Sequence, residues 1–576
     1  MTSGSENSYF PARGAVFNMQ GATMSIFSIV LALLASMGGF IFGYDTGQIS
    51  DILLMDDFKQ RFAECDRGSC TFSDVRSGVI VALLSIGTLI GSLIGAPTSD
   101  FCGRRNAMSI NCGIFTVGVL VQITSFRFWL QFAIGRFISG LGIGGLSAVV
   151  PTYIAECTPP QIRGSLTGTY QLFITFGILI AYCMCFGTRG LSGSGSWRIV
   201  VGLGIAFALF LGISVQFMPE SPRWSILHGD ANAARKVISR VRSLPEDHPI
   251  VNSELQEILR SVETKAHKST DSNESSSDDN EKKEKVQSFS NDWLSCFRGF
   301  RAGSSRLGYR TVLGMALQGL QQLTGANYLG FRAGSSRLGY RTVLGMALQG
   351  LQQLTGANYF IYYGATIFQA VGVSDPYVTQ ILIGVVNFAC TFLGLYAFER
   401  FGRRIPLIFG GVWQSLWLFV FAAAGTAKEP SEDKAIGKLM IVSACLFFLG
   451  MASTWAPGTW IVISEYCPTH SRAKQVALST ASNWLFNFLL AFFTPMIVSA
   501  LNFRYGFIFA ACNLTGAIVV YFFVYESAGM SLENVDLMYR DARTTPWTSR
   551  RWVPPTTEQK GCKILGIDSK EIEEGH

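Results

Sequence analysis

The chain has 576 residues, of which 49% are hydrophobic and 13% aromatic, with only 15% charged, a mean hydropathy of +0.31 and a formal net charge of +7. A soluble globular chain carries about a quarter charged residues, so this composition excludes a soluble domain. The lysines and arginines fall mainly in loops between apolar runs, which sets membrane topology rather than a nucleic-acid surface.

In chain order, residues 1–23 form a polar N-terminal tail, and no cleavable signal peptide precedes the first apolar run, Met24 to Phe42. Twelve stretches follow that are long enough to cross about 30 Å of hydrocarbon. They are 24–43, 77–97, 106–125, 129–150, 165–186, 198–217, 343–369, 376–397, 405–424, 437–462, 476–499 and 504–524. The expected fold class is an all-α membrane protein of twelve transmembrane helices in two six-helix halves, 24–217 and 343–525. A linker, 218–342, joins them and a tail, 526–576, follows. An even number of spans puts both termini on one side. Arg104, Arg105, Arg163, Arg400, Arg403, Arg404, Arg472 and Lys474 share that side in short loops, and the positive-inside rule makes it cytoplasmic.

Cys65 and Cys70 stand in a polar loop after the first span, where an extracellular setting allows a local disulfide. The other cysteines lie mostly in apolar runs as small hydrophobes, and none has metal-ligand spacing. The sequons Asn273-Glu-Ser and Asn513-Leu-Thr fall in the linker and inside a span, so neither is expected to carry glycan. The linker begins with an amphipathic helix that places Ala233, Val237, Ile238 and Val241 on one face. A second short helix over Glu254 to Val262 has Leu255, Ile258 and Leu259 apolar. From Lys265 to Lys285 the composition turns to Ser, Asp, Asn and Lys and predicts disorder, a place for cytoplasmic regulators or phosphate.

Residues 299–328 and 330–359 are identical. Ancient repeats diverge, so this pair reads as a recent in-frame duplication or a gene-model error. Only the second copy runs on into Phe360-Ile-Tyr362-Tyr363, and it supplies the seventh span. Insertion of both copies would invert the later half and put Arg403 and Arg404 outside. The extra copy, 299–329, is therefore assigned to the linker, or competes with the second copy for one slot.

Two motifs are doubled. Asp100-Phe-Cys-Gly103-Arg104-Arg105 returns as Glu399-Arg-Phe-Gly402-Arg403-Arg404, and Pro151…Glu156-x-x-Pro159…Arg163 returns as Pro457…Glu465-x-x-Pro468…Arg472. Two diverged copies of a helical half is a transporter layout. With Gly43-Tyr-Asp45-Thr-Gly47, Gly135-Arg136, Pro219-Glu220-Ser-Pro222-Arg223-Trp224, Gln352-Gln353-Leu-Thr-Gly356-Ala-Asn358 and Ser482-Asn483-Trp484 in order, the chain resembles a sugar porter of the major facilitator superfamily, nearest to the fungal hexose transporters. The resemblance covers roughly Met24 to Tyr539. It departs at Tyr525-Glu526-Ser-Ala-Gly529, where the family often has Pro-Glu-Thr-Lys-Gly, which puts a cytoplasmic ion pair there in doubt.

A sugar needs side chains that both donate and accept, and amides supply both. Polar groups inside spans turn away from lipid. Gln171, Gln352, Gln353, Asn358, Asn387 and Asn483 fit, with Trp460, Trp484, Tyr362 and Tyr363 as aromatic walls. The resemblance places Gln171, Gln352, Gln353, Asn358, Asn387, Trp460 and Asn483 on sugar-contacting positions, whereas Asn487 reads as structural. A helix break near Gly356 would let Gln352 and Asn358 share one cavity. Helix–helix hydrogen bonding is the competing role for all of these amides.

Asp45 in the first span is costly unless paired, and Arg136 in the fourth is the candidate partner. The resemblance implies a proton-coupling pair, although passive relatives also carry an acid there. It also implies that Arg104, Arg105, Glu156, Arg163, Glu220, Arg223, Glu399, Arg403, Arg404, Glu465 and Arg472 form a cytoplasmic gate of ion pairs between the halves.

The expected function is transport of a monosaccharide, glucose and related hexoses, by alternating access at the plasma membrane, as proton symport. A facilitated-diffusion uniporter and a non-transporting glucose sensor are the alternatives. No Gly-x-x-x-x-Gly-Lys-Ser/Thr loop is present, and no cofactor, metal cluster or enzymatic dyad is expected.

Overall fold

The computed structural model describes residues 16–19, 22–66, 69–159, 162–270, 337–370, 375–427, 434–467, 472–541 and 544–553. The first half contains α1 (Ile26–Ile52), α3 (Asp74–Cys102), α4 (Arg104–Ile123), α5 (Trp129–Cys157), α6 (Arg163–Thr188) and α7 (Gly195–Ser214). Between α1 and α3 lie a short α2 (Asp56–Phe62) and a hairpin, β3 (Glu64–Asp66) with β4 (Ser69–Thr71). A first hairpin, β1 (Val16–Met19) with β2 (Ala22–Ser25), precedes α1. A Cys65–Cys70 disulfide closes the second hairpin, as the loop reading allowed.

The second half contains α11 (Arg337–Gln353), α12 (Ala357–Ala370), α13 (Pro376–Phe401), α14 (Arg404–Ala427), α15 (Lys434–Gly450), α16 (Ala456–Tyr466), α17 (Arg472–Leu501) and α18 (Tyr505–Phe523). α11 and α12 are one span broken at Leu354-Thr-Gly356, where Gly356 takes φ 92°, a conformation that favours glycine. α15 and α16 are one span joined through a π-helical turn, Met451–Trp455. Among the described residues ten helical segments are long and apolar enough to cross a membrane. One of them, 475–523, is α17 and α18 together, and the broken pair α11–α12 completes the expected twelve. Ile94, Val117, Phe392 and Phe419, each about half exposed, point outward as a lipid-facing surface requires.

The halves meet where α3 packs on α17, α6 on α13 and α16, α1 on α12, and α5 on α17 and α16. At one end of the bundle lie the arginine turns; this is called the basic end. The linker packs there as α8 (Pro222–Leu227), α9 (Ala231–Arg242) and α10 (Pro249–Thr270) around a small core of Ile226, Ala234, Ile238, Val251, Leu255 and Ile258. α10 starts earlier than the sequence pattern indicated. Pro249 supplies the first turn and the His248 ring accepts from Ile250 N–H. The stretch assigned to disorder and the extra copy 299–329 lie outside the described residues.

The segment after α18 folds back on the second half. Ser531 caps α19 (Leu532–Arg540) and its hydroxyl also donates to Glu257 of α10 at 2.9 Å. Arg404 Nη1 donates to the Pro546 carbonyl at 2.7 Å, and Glu526 N–H donates to Ser549 Oγ at 2.9 Å.

Candidate functional site

The break at Gly356 sets the centre of the site. It ends α11 just after Gln352 and Gln353 and restarts the chain so that Asn358 returns to the same place. Asn358 Nδ2 donates to Gln353 Oε1, and Gln353 Nε2 donates to Asn483 Oδ1 of α17 at 2.9 Å. Asn483 Nδ2 in turn donates to Gln352 Oε1 at 2.9 Å and to Gln349 Oε1. Gln352 Nε2 reaches the carbonyls of Trp455 and Ala456 at 3.1 and 3.0 Å. The four amides expected on these two spans therefore form one connected network, most of it buried.

Two residues enter the network that sequence reasoning did not place there. Gln349, one turn before Gln353, is fully buried, and its Nε2 has no hydrogen-bond partner. Asn487, read as structural, donates to Gln353 Oε1 at 3.2 Å and accepts from Tyr362 O–H at 2.9 Å and from Ser85 O–H of α3 at 2.6 Å. The last bond crosses between the halves. The i+4 spacing from Asn483 to Asn487, one helix face, was the available signal.

The remaining expected residues line the same seams. Gln171 is buried on α6 beside Tyr170, whose ring meets Trp460 of α16 edge-on at 5.4 Å. Asn387 is buried on α13 and its Oδ1 has no hydrogen-bond partner. Trp484 donates through Nε1 to Ser147 Oγ of α5 at 3.3 Å, a second polar contact across the halves. An amide atom buried without a partner is costly. Gln349 and Asn387 both present such atoms, which a polyhydroxylated ligand can satisfy.

Asp45 and Arg136 are brought together in the first half, both fully buried, with Asp45 Oδ2 3.7 Å from Arg136 Nη1. Asp45 Oδ1 accepts from Gln48 Nε2 at 3.0 Å. None of the Arg136 nitrogens has a hydrogen bond. The pair is in contact but loosely held. α1 runs on to Ile52, so Asp45 lies well inside the helix rather than at its mouth.

At the basic end the two arginine turns are built alike. Gly103 and Gly402 take φ 88° and 86°, which turns the chain sharply between two helices. Arg104 donates to Glu156 through Nε at 3.1 Å, and Arg403 donates to Glu465 through Nε at 3.1 Å and Nη2 at 2.7 Å. Ser221 and Ser527 hydroxyls donate to the same two glutamates at 2.6 and 2.7 Å. Burial penalises the Arg403 charge, and the Glu465, Glu399 and Glu526 carboxylates outweigh it, so the guanidinium stays above its ordinary value. Arg105 Nη1 reaches the Gln216 carbonyl at 3.3 Å, and Arg163 Nη2 the Thr158 carbonyl at 3.3 Å. Arg223 is buried, and the side chain of Arg472 lies outside the described residues.

The expectation of ion pairs between the halves needs correcting for these two. Arg104–Glu156 and Arg403–Glu465 each close inside one half, because each turn lies under a helix of its own bundle. A crossing contact is made by Glu399, whose Oε1 accepts from Ser165 N–H of α6 at 2.8 Å. Glu526 stands where the sequence leaves an ion pair in doubt. It needs no lysine, since its two oxygens accept from the N–H groups of Arg403 and Arg404 at 2.8 and 3.2 Å.

Known proteins show the same organisation. A family model described as "Sugar (and other) transporter" matches residues 31–335 and 331–539. The chain is 36% identical over 543 residues to the high-affinity glucose transporter ght2 of Schizosaccharomyces pombe, covering 93% of this chain and 91% of that one. It is 38% identical over 540 residues to the low-affinity glucose transporter HXT3 of Saccharomyces cerevisiae, covering 92% and 85%. The solved structure of the proton:xylose symporter XylE bound to 6-bromo-6-deoxy-D-glucose superposes with a TM-score of 0.69 at 24% identity, covering 89% of this chain and 99% of that one. That likeness carries the major facilitator fold. Matched over both halves and aligned with relatives along most of their length, the chain belongs to the sugar transporter family.

Proposed function

We propose that this protein carries hexoses, glucose foremost, across the plasma membrane by alternating access, coupled to a proton. The observation that carries the reading is the amide network at the seam. Gln352, Gln353, Asn358 and Asn483 offer donors and acceptors side by side, with Gln171, Asn387 and Trp460 facing the same seams. Sugar hydroxyls replace these side chains as partners one for one, so binding does not leave buried polar groups bare. The names of the relatives, glucose transporters at 36% and 38% identity, favour glucose.

Asp45 is the proton carrier in this reading. A buried carboxylate whose cation, Arg136, is 3.7 Å away and not hydrogen-bonded to it is poised to gain or lose that cation as helices shift. The basic end and both termini are cytoplasmic, by the positive-inside rule. Glu399 on Ser165 N–H ties the halves at the inner gate, and the clusters around Arg104 and Arg403 hold the turn of each half in place beside it. Residues 299–329 stay in the linker, outside the bundle.

Initial-rate uptake of labelled glucose in a cell without its own hexose carriers tests this, with and without a proton uncoupler. Saturable uptake that the uncoupler abolishes supports symport. Uptake that survives assigns facilitated diffusion. No uptake by the full chain or by one lacking 299–329, with both at the surface, moves the sensor reading to first place.

A further inference from the structure

At the end opposite the arginine turns, the halves are tied by an ion pair. Arg189, the residue after α6, donates through Nη1 to Asp375 Oδ1 at 2.8 Å. Asp375 is the N-cap of α13 and also accepts from Tyr377 N–H at 3.1 Å. The guanidinium lies 4.3 Å from the Phe186 ring and 4.9 Å from the Tyr377 ring, held between the two halves. Beside it, Ser50 Oγ accepts from Ala365 N–H and Gln380 Nε2 across the α1–α12 and α1–α13 contacts.

Asp51 is next in the chain and does nothing in this arrangement. Its side chain is fully buried and neither carboxyl oxygen has a hydrogen bond. The groups that act on it are Arg189 and Asp375, with Tyr182 and Cys185 on α6 and Tyr377 on α13 also facing it. Tyr377 O–H reaches the Asp51 backbone carbonyl at 3.4 Å. A buried carboxyl left without any partner is costly, so this contact pattern is incomplete as it stands.

Rigid-body geometry completes it. α1 packs along α6, so Asp51 and Arg189 belong to one half and move together, whereas Asp375 belongs to the other. Separation of the halves at this end takes Asp375 away from Arg189 and leaves, in Arg189's own half, Asp56 near Tyr377 and Asp51, the one of the two that is buried with no hydrogen bond on its carboxyl. We propose that Asp51 is the second acceptor of Arg189, which leaves Asp375 and pairs with Asp51 when the carrier opens at this end. The exchange offsets the loss of one ion pair with the gain of another. It makes Asp51 a positioning residue that sets how often the carrier opens outward. "Outward" here rests on the orientation proposed above; the exchange does not.

The test uses a Ser50→Cys reporter, buried in the seam, labelled with a membrane-impermeant maleimide in cells without sugar. Asp51→Asn is expected to slow labelling about three- to fivefold, the worth of one partly exposed ion pair. Asp375→Asn is expected to speed it by a similar factor, and Asp51→Glu to restore it. In an Arg189→Gln background Asp51→Asn should change nothing further. An unchanged or faster rate in Asp51→Asn overturns the proposal, as does equal slowing without Arg189. Should Asp51→Asn fail to reach the surface, an Asp375→Asn rate that does not rise overturns it alone. Sugar uptake is not part of the readout, so a failure of the hexose assignment is seen separately.

Discussion

Glu220 and Glu526 do the same work in the two halves. Glu220 accepts from the N–H groups of Arg104 and Arg105 at 2.9 and 3.2 Å; Glu526 accepts from those of Arg403 and Arg404 at 2.8 and 3.2 Å. Each carboxylate caps the N-terminus of the helix that follows an arginine turn, where the helix dipole favours negative charge. The pseudo-twofold relation between the halves therefore extends to single hydrogen bonds at the basic end.

Glu526→Ala removes both acceptors and a third bond from Ala528 N–H. Each buried donor left bare costs about 1–3 kcal/mol. The melting midpoint of detergent-purified protein should fall by several degrees, and less in Glu526→Gln, which keeps one acceptor. An unchanged midpoint in Glu526→Ala would show that water satisfies these groups.

The Arg403–Glu465 pair is bidentate and almost completely buried. Lysine keeps the charge but not the fork. Breaking a buried pair on one side costs about 3–5 kcal/mol. Arg403→Lys and Glu465→Gln should each lose most surface protein or most uptake, as read by surface biotinylation and labelled-sugar entry together. Full activity in Arg403→Lys would reduce the pair to topology setting.

Ser85 is the sole member of the amide network contributed by the first half among the bonds described above. Its hydroxyl donates to Asn487 Oδ1 at 2.6 Å. If that bond belongs to the closed seam, Ser85→Ala should lower the maximal transport rate by about two- to tenfold, the net worth of one hydrogen bond. Half-saturation should change less than the rate. A change confined to half-saturation would place Ser85 on the sugar instead.

Asp375 is held below the usual carboxylate range, first by its hydrogen bond from Arg189. A depressed carboxyl stabilises the closed seam at any pH above its ordinary value of 3.8, and the effect is lost only as pH falls through the lower, folded value. Between about pH 5 and 8 the Arg189–Asp375 tie should therefore be constant. In an Asp45→Asn, Asp51→Asn background, labelling of the Ser50→Cys reporter, divided by that of a freely exposed cysteine at the same pH because only the thiolate reacts, should not vary over that range. Labelling that rises as the medium is acidified from pH 8 to 5 would contradict the assignment.

Much of this was legible in the sequence for physical reasons that can be named. Spans declare themselves through apolar length, and the break at Gly356 through the six-residue gap between Gln352 and Asn358. Asp45 and Arg136 were legible because buried charges demand partners, and the first half offered one of each sign. The partners of Asn487 were not legible because its bonds run to α3, α11 and α12, and no local pattern reports a partner 402 residues away. Arg189 and Asp375 were passed over for the same reason: each sits at a helix end, where a charge is unremarkable until the fold sets the two ends side by side. Arg104 and Arg403 were expected to pair between the halves and instead pair inside one half each, since repeated motifs reveal symmetry without revealing which copy touches which.

The central claim is that the seam amides bind a hexose and pass it across. Counterflow of labelled D-glucose into proteoliposomes measures this without cellular metabolism. The account predicts entry that saturates, is blocked by unlabelled D-glucose and not by L-glucose, and is lost in Asn483→Ala while the variant remains folded. Entry no faster than into protein-free vesicles, or undiminished entry in Asn483→Ala, would contradict it.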